Sequence, residues 1–287
     1  MKRKKNLKLA IVGHGFVGKA TDKAFNKNVE KFIVDPIYET KISDLKNFKP
    51  EIIFICVPTP MGADGSQDCS IINEVIYQLN DFCNESIKVI KSTVLPSSLE
   101  ILKKSNSQII YNPEFLREKH ADMDFINAEM IIFGGDKKYS QKVSNIYQNH
   151  SSCKTKNYIF TDLVTASLAK YAINTFLASK IIFFNELFSV FNKYQLDDSW
   201  EDLVNIISSD SRIGKSHMSV PGHDGKKGFG GACFPKDCTA FVNFAKEQGV
   251  ELTSLKTTVK TNNKIRSEYT KLDSREIEQN VRFDDKI

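Results

Sequence analysis

Short apolar runs alternate with helix-length segments or loops along the first half of the chain, from Leu7 to about Phe160. A buried parallel strand reads as a short continuous apolar run, and its alternation with helices is typical of a doubly wound α/β sheet. Ligands of such sheets bind beyond the carboxyl ends of the strands, so a site is expected in the loops that follow the runs. The predicted strands cover 9–12, 32–34, 52–57, 87–90, 108–111 and 130–133.

The second half of the chain has the pattern of helices. Thr161 and Asp162 predict an N-cap, and the residues after them predict a long helix to about Tyr194. Apolar residues lie nearly all round this helix, so its own domain or a second subunit must cover most of its faces. The pattern predicts a Rossmann-type domain over 1–158, followed by an all-α domain over 159–287 that ends in a short stub. Further helices are predicted over 200–212, from 237 to about 248, and over 254–266.

Composition and charge narrow the possible functions. The 287 residues carry a net charge of +5, and residues 2–5 supply four of those charges, so no nucleic-acid-binding face is expected. Six cysteines without C-x-x-C spacing, and no secretion signal, favour a reducing cytoplasm. Five histidines without a ligand pattern predict no metal site. The most apolar stretch, 176–191, contains Lys180 and Glu186 and is expected to be too short and too charged to span a membrane.

The first loop, residues 13–18, reads G-x-G-x-x-G between an apolar strand and a helix. Glycines in this motif make a tight turn and admit a pyrophosphate to the helix N-terminus. Asp35 ends the second predicted strand, twenty residues after Gly15, where an acid accepts hydrogen bonds from the adenosine ribose. Its charge would repel a 2′-phosphate, so the motif predicts NAD rather than NADP. A phosphate-free glycine turn is the alternative.

A second glycine-rich segment precedes Cys233. Glycines at 228, 230 and 231 allow positive φ and a close approach of the backbone to a ligand. A cysteine there could attack a carbonyl carbon as the thiolate, with Lys236 as the nearest cation in sequence and Asp237 as a carboxylate for orientation or proton handling. The alternative is that Cys233 is a small buried hydrophobe.

Other polar residues follow the predicted strands or interrupt the long helix. Glu114 lies in the loop after the fifth strand, where a lone glutamate is more often simply solvated. Lys170 and Asn174 stand at i and i+4, hence on one face of the helix, as two neighbouring donors. A snorkelling lysine beside a hydrogen-bonded asparagine is the alternative.

With these residues in place, the chain resembles the UDP-glucose/GDP-mannose 6-dehydrogenase family of nucleotide-sugar dehydrogenases, from about Leu7 to Arg266. The resemblance rests on several separated motifs in the family's order. These motifs are Gly13-His14-Gly15-Phe16-Val17-Gly18, Val57-Pro58-Thr59-Pro60 with Asp64-Gly65-Ser66, Lys91-Ser92-Thr93-Val94, Asn112-Pro113-Glu114-Phe115-Leu116-Arg117-Glu118, Lys170-Tyr171-Ala172-Ile173-Asn174, Arg212-Ile213-Gly214, and Gly228-Phe229-Gly230-Gly231-Ala232-Cys233-Phe234-Pro235-Lys236-Asp237.

The resemblance implies a four-electron oxidation of a sugar 6-hydroxyl to a carboxylate, with two NAD used in turn and UDP-glucose as the expected substrate. Cys233 would capture the aldehyde as a thiohemiacetal and then carry a thioester. Lys170 and Asn174 would stabilise oxyanions, Glu114 would activate water with help from Thr93, and Asp237 would support the cysteine and the water.

The resemblance also implies binding roles. NAD would be bound by Gly13, Gly15, Phe16, Val17, Gly18, Asp35, Pro58, Thr59, Thr93 and Glu118. The substrate would be bound by Glu114, Phe115, Leu116, Lys170, Asn174, Arg212, Phe229 and Gly230. In this family Arg212 would reach the neighbouring subunit's site, which implies a homodimer with the long helix at its core.

Members of this family have a further carboxy-terminal domain that holds much of the nucleotide, and this chain ends roughly where that domain would begin. Two other functions stay open. One is a two-electron dehydrogenase of the β-hydroxyacid type, which needs Lys170 and Asn174 but no cysteine. The other is a non-catalytic NAD-binding interaction protein. The number of NADH formed per nucleotide-sugar consumed distinguishes these functions. It would be two for the four-electron oxidation, one for the two-electron dehydrogenase and none for the non-catalytic protein.

Overall fold

A computed structural model describes residues 6–105 and 108–284 of the chain. The chain divides into two compact units. The first unit comprises Met1–Thr59 and Asp68–Lys170, and the second comprises Pro60–Gln67 and Tyr171–Ile287. The predicted boundary at residue 158 therefore lies inside the first unit, and the loop Pro60–Gln67 belongs to the second.

A seven-stranded sheet forms the centre of the first unit, with strand order β2-β1-β3-β4-β5-β6-β7. The predicted doubly wound sheet is confirmed. The strands are β1 (Leu7–Val12), β2 (Val29–Val34), β3 (Ile52–Ile55), β4 (Ile87–Ile90), β5 (Ile109–Tyr111), β6 (Ile131–Gly135) and β7 (Tyr158–Thr161). The helices of this unit are α1 (Phe16–Ala24), α2 (Leu45–Phe48), α3 (Ser70–Phe82), α4 (Pro96–Ser105), α5 (Ala121–Ile126) and α6 (Lys137–His150), with the start of α7 (Leu163–Phe191).

The first five strands run parallel, as the apolar runs predict, with Val12 of β1 opposite both Val34 and Ile55. Strand β6 pairs antiparallel with β5, and β7 pairs parallel with β6. An all-parallel reading of the six runs is therefore wrong at β6, because an apolar run predicts burial but not direction. Strand β7 was not predicted, because its residues are half-buried or exposed and form no buried run.

Alternate side chains of the central strands supply the two faces of the sheet. Ala10 and Val12 face a core completed by α3, α4 and the first turns of α7. Leu9 and Ile11 face a second core completed by α1, α5 and α6. Both faces are thus covered, which leaves the strand ends as the places where polar loops gather.

The second unit is helical. Besides the rest of α7, it contains α8 (Trp200–Ser208), α9 (Phe234–Glu247), α10 (Thr253–Arg266) and α11 (Ser274–Glu278). One core packs Ala178 and Ile182 of α7 against α9 and α10. Helix α9 begins directly after Cys233, several residues earlier than predicted, with Pro235 in its first turn, where the missing N–H of proline is not needed.

Helix α7 is 29 residues long and starts beside the predicted cap. Asp162 accepts hydrogen bonds from the backbone N–H and the hydroxyl of Thr165, at 2.9 and 2.6 Å. Among the described residues, α7 is long and apolar enough by length and composition to cross a membrane, a test that a core helix also passes. Lys180 and Glu186 interrupt the apolar stretch 176–191 of this helix.

Candidate active site

The loop between β1 and α1 is a tight turn with one open glycine. Gly13 has a φ of +89°, and a Cβ there would lie 2.8 Å from the carbonyl oxygen of Cys56. A Cβ at Gly18 would lie 2.1 Å from the carbonyl oxygen of Gly13, whereas one at Gly15 would meet nothing within 4 Å. Gly15 is the N-cap of α1, without a side-chain cap and without an acid in the first turn. The exposed N-terminus of α1 thus fits an anionic pyrophosphate, as NAD requires.

Asp35 lies at the carboxyl end of β2, with both carboxylate oxygens facing backbone donors. Oδ2 accepts the N–H of His14 at 2.6 Å, and Oδ1 accepts the N–H of Ile37 at 3.0 Å. The buried ring of His14 lies between the Tyr38 hydroxyl, at 2.9 Å, and the Asp22 carboxylate, at 3.4 Å. The second strand thus brings its carboxylate to the glycine turn, where a ribose hydroxyl would meet an acceptor.

The loops after β3 and β4 are joined to each other. Thr59 is buried and its hydroxyl donates to the backbone carbonyl of Thr93 at 2.9 Å. Two residues that the family resemblance implies for NAD binding therefore lie side by side at the carboxyl edge of the sheet. Pro58 precedes this contact, and Glu118 lies exposed in a short 3₁₀ helix, Glu118–His120.

Glu114 and Lys170 form a buried pair after β5. The Lys170 ammonium donates to the backbone carbonyl of Glu114 at 2.5 Å and lies 3.8 Å from its Oε1. Oε2 of Glu114 accepts the N–H of Leu116 at 2.6 Å, and the ammonium lies 4.9 Å from the ring centroid of Phe115. The two side chains are 8% and 3% exposed, so neither is simply solvated.

Asp237 is the centre of a buried cluster in the second unit. Its Oδ2 accepts a hydrogen bond from Asn174 at 2.7 Å, and its Oδ1 accepts one from Lys236 at 2.6 Å. Lys236, the cation nearest to the thiol in sequence, thus pairs with the neighbouring carboxylate of Asp237. Cys233 is the N-cap of α9, and its carbonyl accepts the N–H of Asp237 at 2.9 Å. Cys233, Lys236 and Asp237 thus lie together at the start of α9, and Asn174 contacts Asp237 from α7.

The other cysteines differ in setting. Burial raises the pKa of Cys56 to about 12, against a smaller lowering by Lys91. Burial also raises the pKa of Cys238 well above its usual range, with Asp237 adding to the effect. Neither thiol ionises near neutral pH, so Cys238 is not an alternative nucleophile to Cys233, which is only half-buried.

Two predicted substrate residues are placed differently from the rest. The Phe229 side chain is 2% exposed and packs in the core of the second unit. Its N–H and carbonyl are both taken by Asn262, at 2.6 and 3.0 Å, so Phe229 supports the loop from inside. Arg212 is exposed over 86% of its side chain and pairs with Asp210 at 2.5 Å.

Glycines of the cysteine loop approach protein side chains. Gly228 and Gly231 have φ of +74° and +77°, as the pattern suggests. A Cβ at Gly228 would lie 2.6 Å from Oδ1 of Asn262, and one at Gly230 would lie 2.4 Å from Oε1 of Glu276. At Gly228 and Gly230 the space that a Cβ would take is therefore filled by side chains of α10 and α11. Sequence reasoning missed Glu276, whose only local signal is the capping pattern D-x-x-E that opens α11.

The predicted site residues thus fall into two groups, one in each unit. Thr59, Thr93, Glu114 and Lys170 belong to the first unit with the glycine turn, and Asn174, Cys233 and Asp237 belong to the second. Among the described residues, no group of three or more His, Cys, Asp or Glu side chains is arranged to hold a metal ion. The fold and these groups define a Rossmann-type NAD-binding protein with a helical domain that carries a cysteine.

Comparison with known proteins identifies the family. Residues 46–151 match the model of the UDP-glucose/GDP-mannose dehydrogenase family, NAD binding domain, and residues 164–264 match that of the central domain. Together these domains cover more than half of the chain, which belongs to this family and carries its NAD-binding domain.

Individual relatives agree with this assignment. A UDP-glucose 6-dehydrogenase of Rickettsia bellii is 32% identical over 281 residues, which are 88% of this chain and 62% of the relative. A UDP-glucose 6-dehydrogenase of Bacillus subtilis is 28% identical, with 90% of this chain and 63% of the relative covered. The chain therefore spans less than two thirds of the length of these relatives.

A solved structure is also similar. The UDP-glucose dehydrogenase of Pyrobaculum islandicum superimposes with a TM-score of 0.76 at 24% identity, over 92% of this chain and 70% of the other. At this level of identity the likeness concerns the fold.

Proposed function

We propose that the protein catalyses the NAD-dependent, four-electron oxidation of the 6-hydroxyl of a nucleotide-sugar to the carboxylate, with UDP-glucose converted to UDP-glucuronate. One observation carries the proposal: a cysteine at the N-terminus of α9, beside a buried Asn174–Asp237–Lys236 cluster, in a chain with an NAD-binding domain. A two-electron dehydrogenase would have no use for that cysteine. The relatives' names supply the choice of substrate.

Bound NAD would supply the hydride acceptor in each of the two oxidations. In the first, C6 loses a hydride and its hydroxyl loses a proton, which leaves an aldehyde. The Cys233 thiolate then adds to the aldehyde carbon, and the new C–S bond turns the carbonyl into a thiohemiacetal oxyanion. The partial positive charge at the start of α9 favours an anionic sulfur there.

In the second oxidation C6 loses another hydride and the thiohemiacetal becomes a thioester. Water adds to the thioester carbon, the C–S bond breaks, and the acid and the free thiol are released. Glu114 would accept the proton from this water, as its carboxylate is buried and held by the N–H of Leu116. Lys170 and Asn174 are the donors proposed for the oxyanions.

Replacement of Cys233 by serine tests this mechanism. An alkoxide is harder to generate than a thiolate and an oxygen ester is harder to hydrolyse, so acid formation should fall by about three or more orders of magnitude. NAD affinity should stay within about twofold, since the cofactor belongs to the other unit. Cys69→Ser, which changes another half-buried thiol, is the matched control and should keep the wild-type rate.

The first readout is the number of NADH formed per UDP-glucose consumed, which should be two for the wild type. The second is the intact mass of the protein after rapid quenching, which should show a thioester-linked sugar. Acid production by Cys233→Ser at the wild-type rate would overturn the mechanism. One NADH per substrate in the wild type would indicate the two-electron alternative.

We propose a cytoplasmic location as well, in keeping with six cysteines that are all free.

A further inference from the structure

The loop that precedes Cys233 is held by side chains through its backbone. The N–H of Gly228 donates to Oδ1 of Asn185 at 3.0 Å, and the N–H of Gly231 donates to Oε1 of Glu276 at 3.0 Å. With the bond from Phe229 to Asn262, three of four successive amides have a side-chain acceptor. The acceptors come from α7, α10 and α11, so the position of the loop is set by three helices.

Glu276 stands out among these acceptors because it is fully buried, with 0% of its surface exposed. Besides the Gly231 amide, its Oε1 accepts a hydrogen bond from Nη2 of Arg266 at 2.8 Å. Its Oε2 accepts the N–H of Asp273 at 2.9 Å, which closes the capping box of α11. A buried carboxylate is tolerated when its lone pairs are satisfied in this way.

Arg266 completes the network. Its guanidinium side chain is 1% exposed and also pairs with Asp224 at 2.7 Å. Removal of one partner from a buried ion pair leaves the other charge uncompensated, so such networks hold their geometry strongly. Glu276 is thus fixed from the protein side by Arg266 and Asp273, and it presents Oε1 to the loop.

Gly230 shows how closely the loop fits this pair. A Cβ there would lie 2.2 Å from Nη2 of Arg266 and 2.4 Å from Oε1 of Glu276. Only glycine leaves room for both groups, so the backbone at 230 rests directly on the ion pair. The loop then reaches Cys233 two residues after the Gly231 amide that Glu276 holds.

We propose that Glu276 is a positioning residue for Cys233, acting through the Gly231 amide to fix the loop that presents the thiol. The inference rests on the proposed function for the role of Cys233 as nucleophile. Glu276 lies outside residues 164–264, which match the family's central domain.

Three substitutions separate the contributions of Glu276. Glu276→Ala removes the acceptor, Glu276→Gln keeps a neutral oxygen for the Gly231 amide, and Glu278→Ala is the matched control on the same helix. Glu278 is exposed and pairs with Arg275 at the surface. Hydrogen–deuterium exchange of peptides that cover 228–233 and 238–247 reports the loop and the body of α9 separately. Kinetics with UDP-glucose and NAD report the function.

In Glu276→Ala the Gly231 amide should exchange about tenfold or more faster, with 238–247 unchanged, because a lost hydrogen bond of this kind is equivalent to about that factor. The kcat should fall about tenfold or more while the KM for NAD stays within about twofold. Glu276→Gln keeps an oxygen for the Gly231 amide but loses the charge that pairs with Arg266, so it should recover part of both effects, and Glu278→Ala should match the wild type. If Glu276→Ala does not fold, the comparison of Glu276→Gln with Glu276→Asp, whose shorter side chain withdraws the acceptor, replaces it.

Unchanged loop exchange or unchanged kcat in Glu276→Ala would overturn the inference. Uniformly faster exchange throughout the second unit would overturn it too, since Glu276 would then support the whole unit and not the loop. If the wild type makes no NADH from UDP-glucose, the proposed function fails, and the exchange comparison alone decides whether Glu276 fixes the loop.

Discussion

The carboxylate of Asp35 is held at the end of β2 by the amides of His14 and Ile37. A 2′-phosphate beside this carboxylate costs on the order of 1.4 kcal/mol or more, so we expect NAD to bind at least about tenfold more tightly than NADP. Asp35→Asn should reduce this preference by weakening the repulsion. Titration of both cofactors measures it, with Glu39→Gln as an exposed control nearby. Equal affinity of the wild type for the two cofactors would contradict the assignment.

Lys88 gives a pH dependence of stability. It is fully buried and donates to the carbonyls of Cys83, Asn84 and Ser86, at 2.9, 3.2 and 3.3 Å. Burial lowers its pKa from 10.5 to about 8. Between these values the unfolded chain binds the proton and the folded chain does not, so the free energy of unfolding rises with pH in this window. Below about pH 8 the cost of burying the charge is fully present.

We therefore expect the wild type to gain stability relative to Lys88→Met as pH rises from about 8 to 10.5. Urea unfolding of both proteins at several pH values measures the difference, in which the titration of all other groups cancels. A difference that stays constant over this range would show that Lys88 keeps its ordinary pKa.

The β1–α1 turn offers a comparison of two glycines at the scale of an element. Gly18→Ala places a Cβ against the carbonyl of Gly13, so it should destabilise the fold by about 1–3 kcal/mol through overpacking. Gly15→Ala meets open space, so stability should change by less than about 0.5 kcal/mol. NAD affinity should nevertheless fall about tenfold or more, because the methyl group occupies the place of the pyrophosphate. Thermal unfolding of the two variants measures the changes in stability, and NAD titration measures the change in affinity. Unaltered NAD binding by Gly15→Ala would refute the placement of the pyrophosphate at Gly15.

Elements also show where a sequence pattern stops being informative. Strands β1 to β5 coincide with apolar runs because burial on both faces leaves only apolar choices. The edge strand β7 lacks such a run because its side chains are half-buried or exposed. Helix α9 starts before the predicted residue 237, because its first turn contains Pro235, Lys236 and Asp237, a sequence that is locally typical of a loop.

At the scale of the whole molecule, α7 predicts a homodimer. Phe176, Phe183 and Val190 recur every seven residues and are 67%, 59% and 54% exposed, so they form an apolar stripe along one face. We expect light scattering to give twice the mass of the chain. Phe176→Glu with Phe183→Glu should yield monomers, whereas Tyr77→Glu, at a residue 65% exposed in the other unit, should not.

A mixture of subunits tests whether the dimer shares its sites. If Arg212 acts in the partner's site, heterodimers of Arg212→Ala and Cys233→Ala chains regain one complete site and hence activity. A wild-type monomer with full turnover, or mixed subunits that stay inactive, would argue against this role of Arg212.

The amino-acid sequence by itself determined the doubly wound sheet, the glycine turn with Asp35, and the family. The strands and the glycine turn depend on residues near one another in the chain, where period, spacing and glycine geometry act locally, and the family is recognised from short motifs that are each local and that follow in a fixed order. Tertiary structure alone decided the direction of β6, the hydrogen bond from Asn174 to Asp237, 63 residues away, and the support of Gly231 by Glu276, 45 residues away. A buried polar atom takes whichever partner packing brings within hydrogen-bond distance, and neither adjacency nor spacing in the sequence specifies that partner.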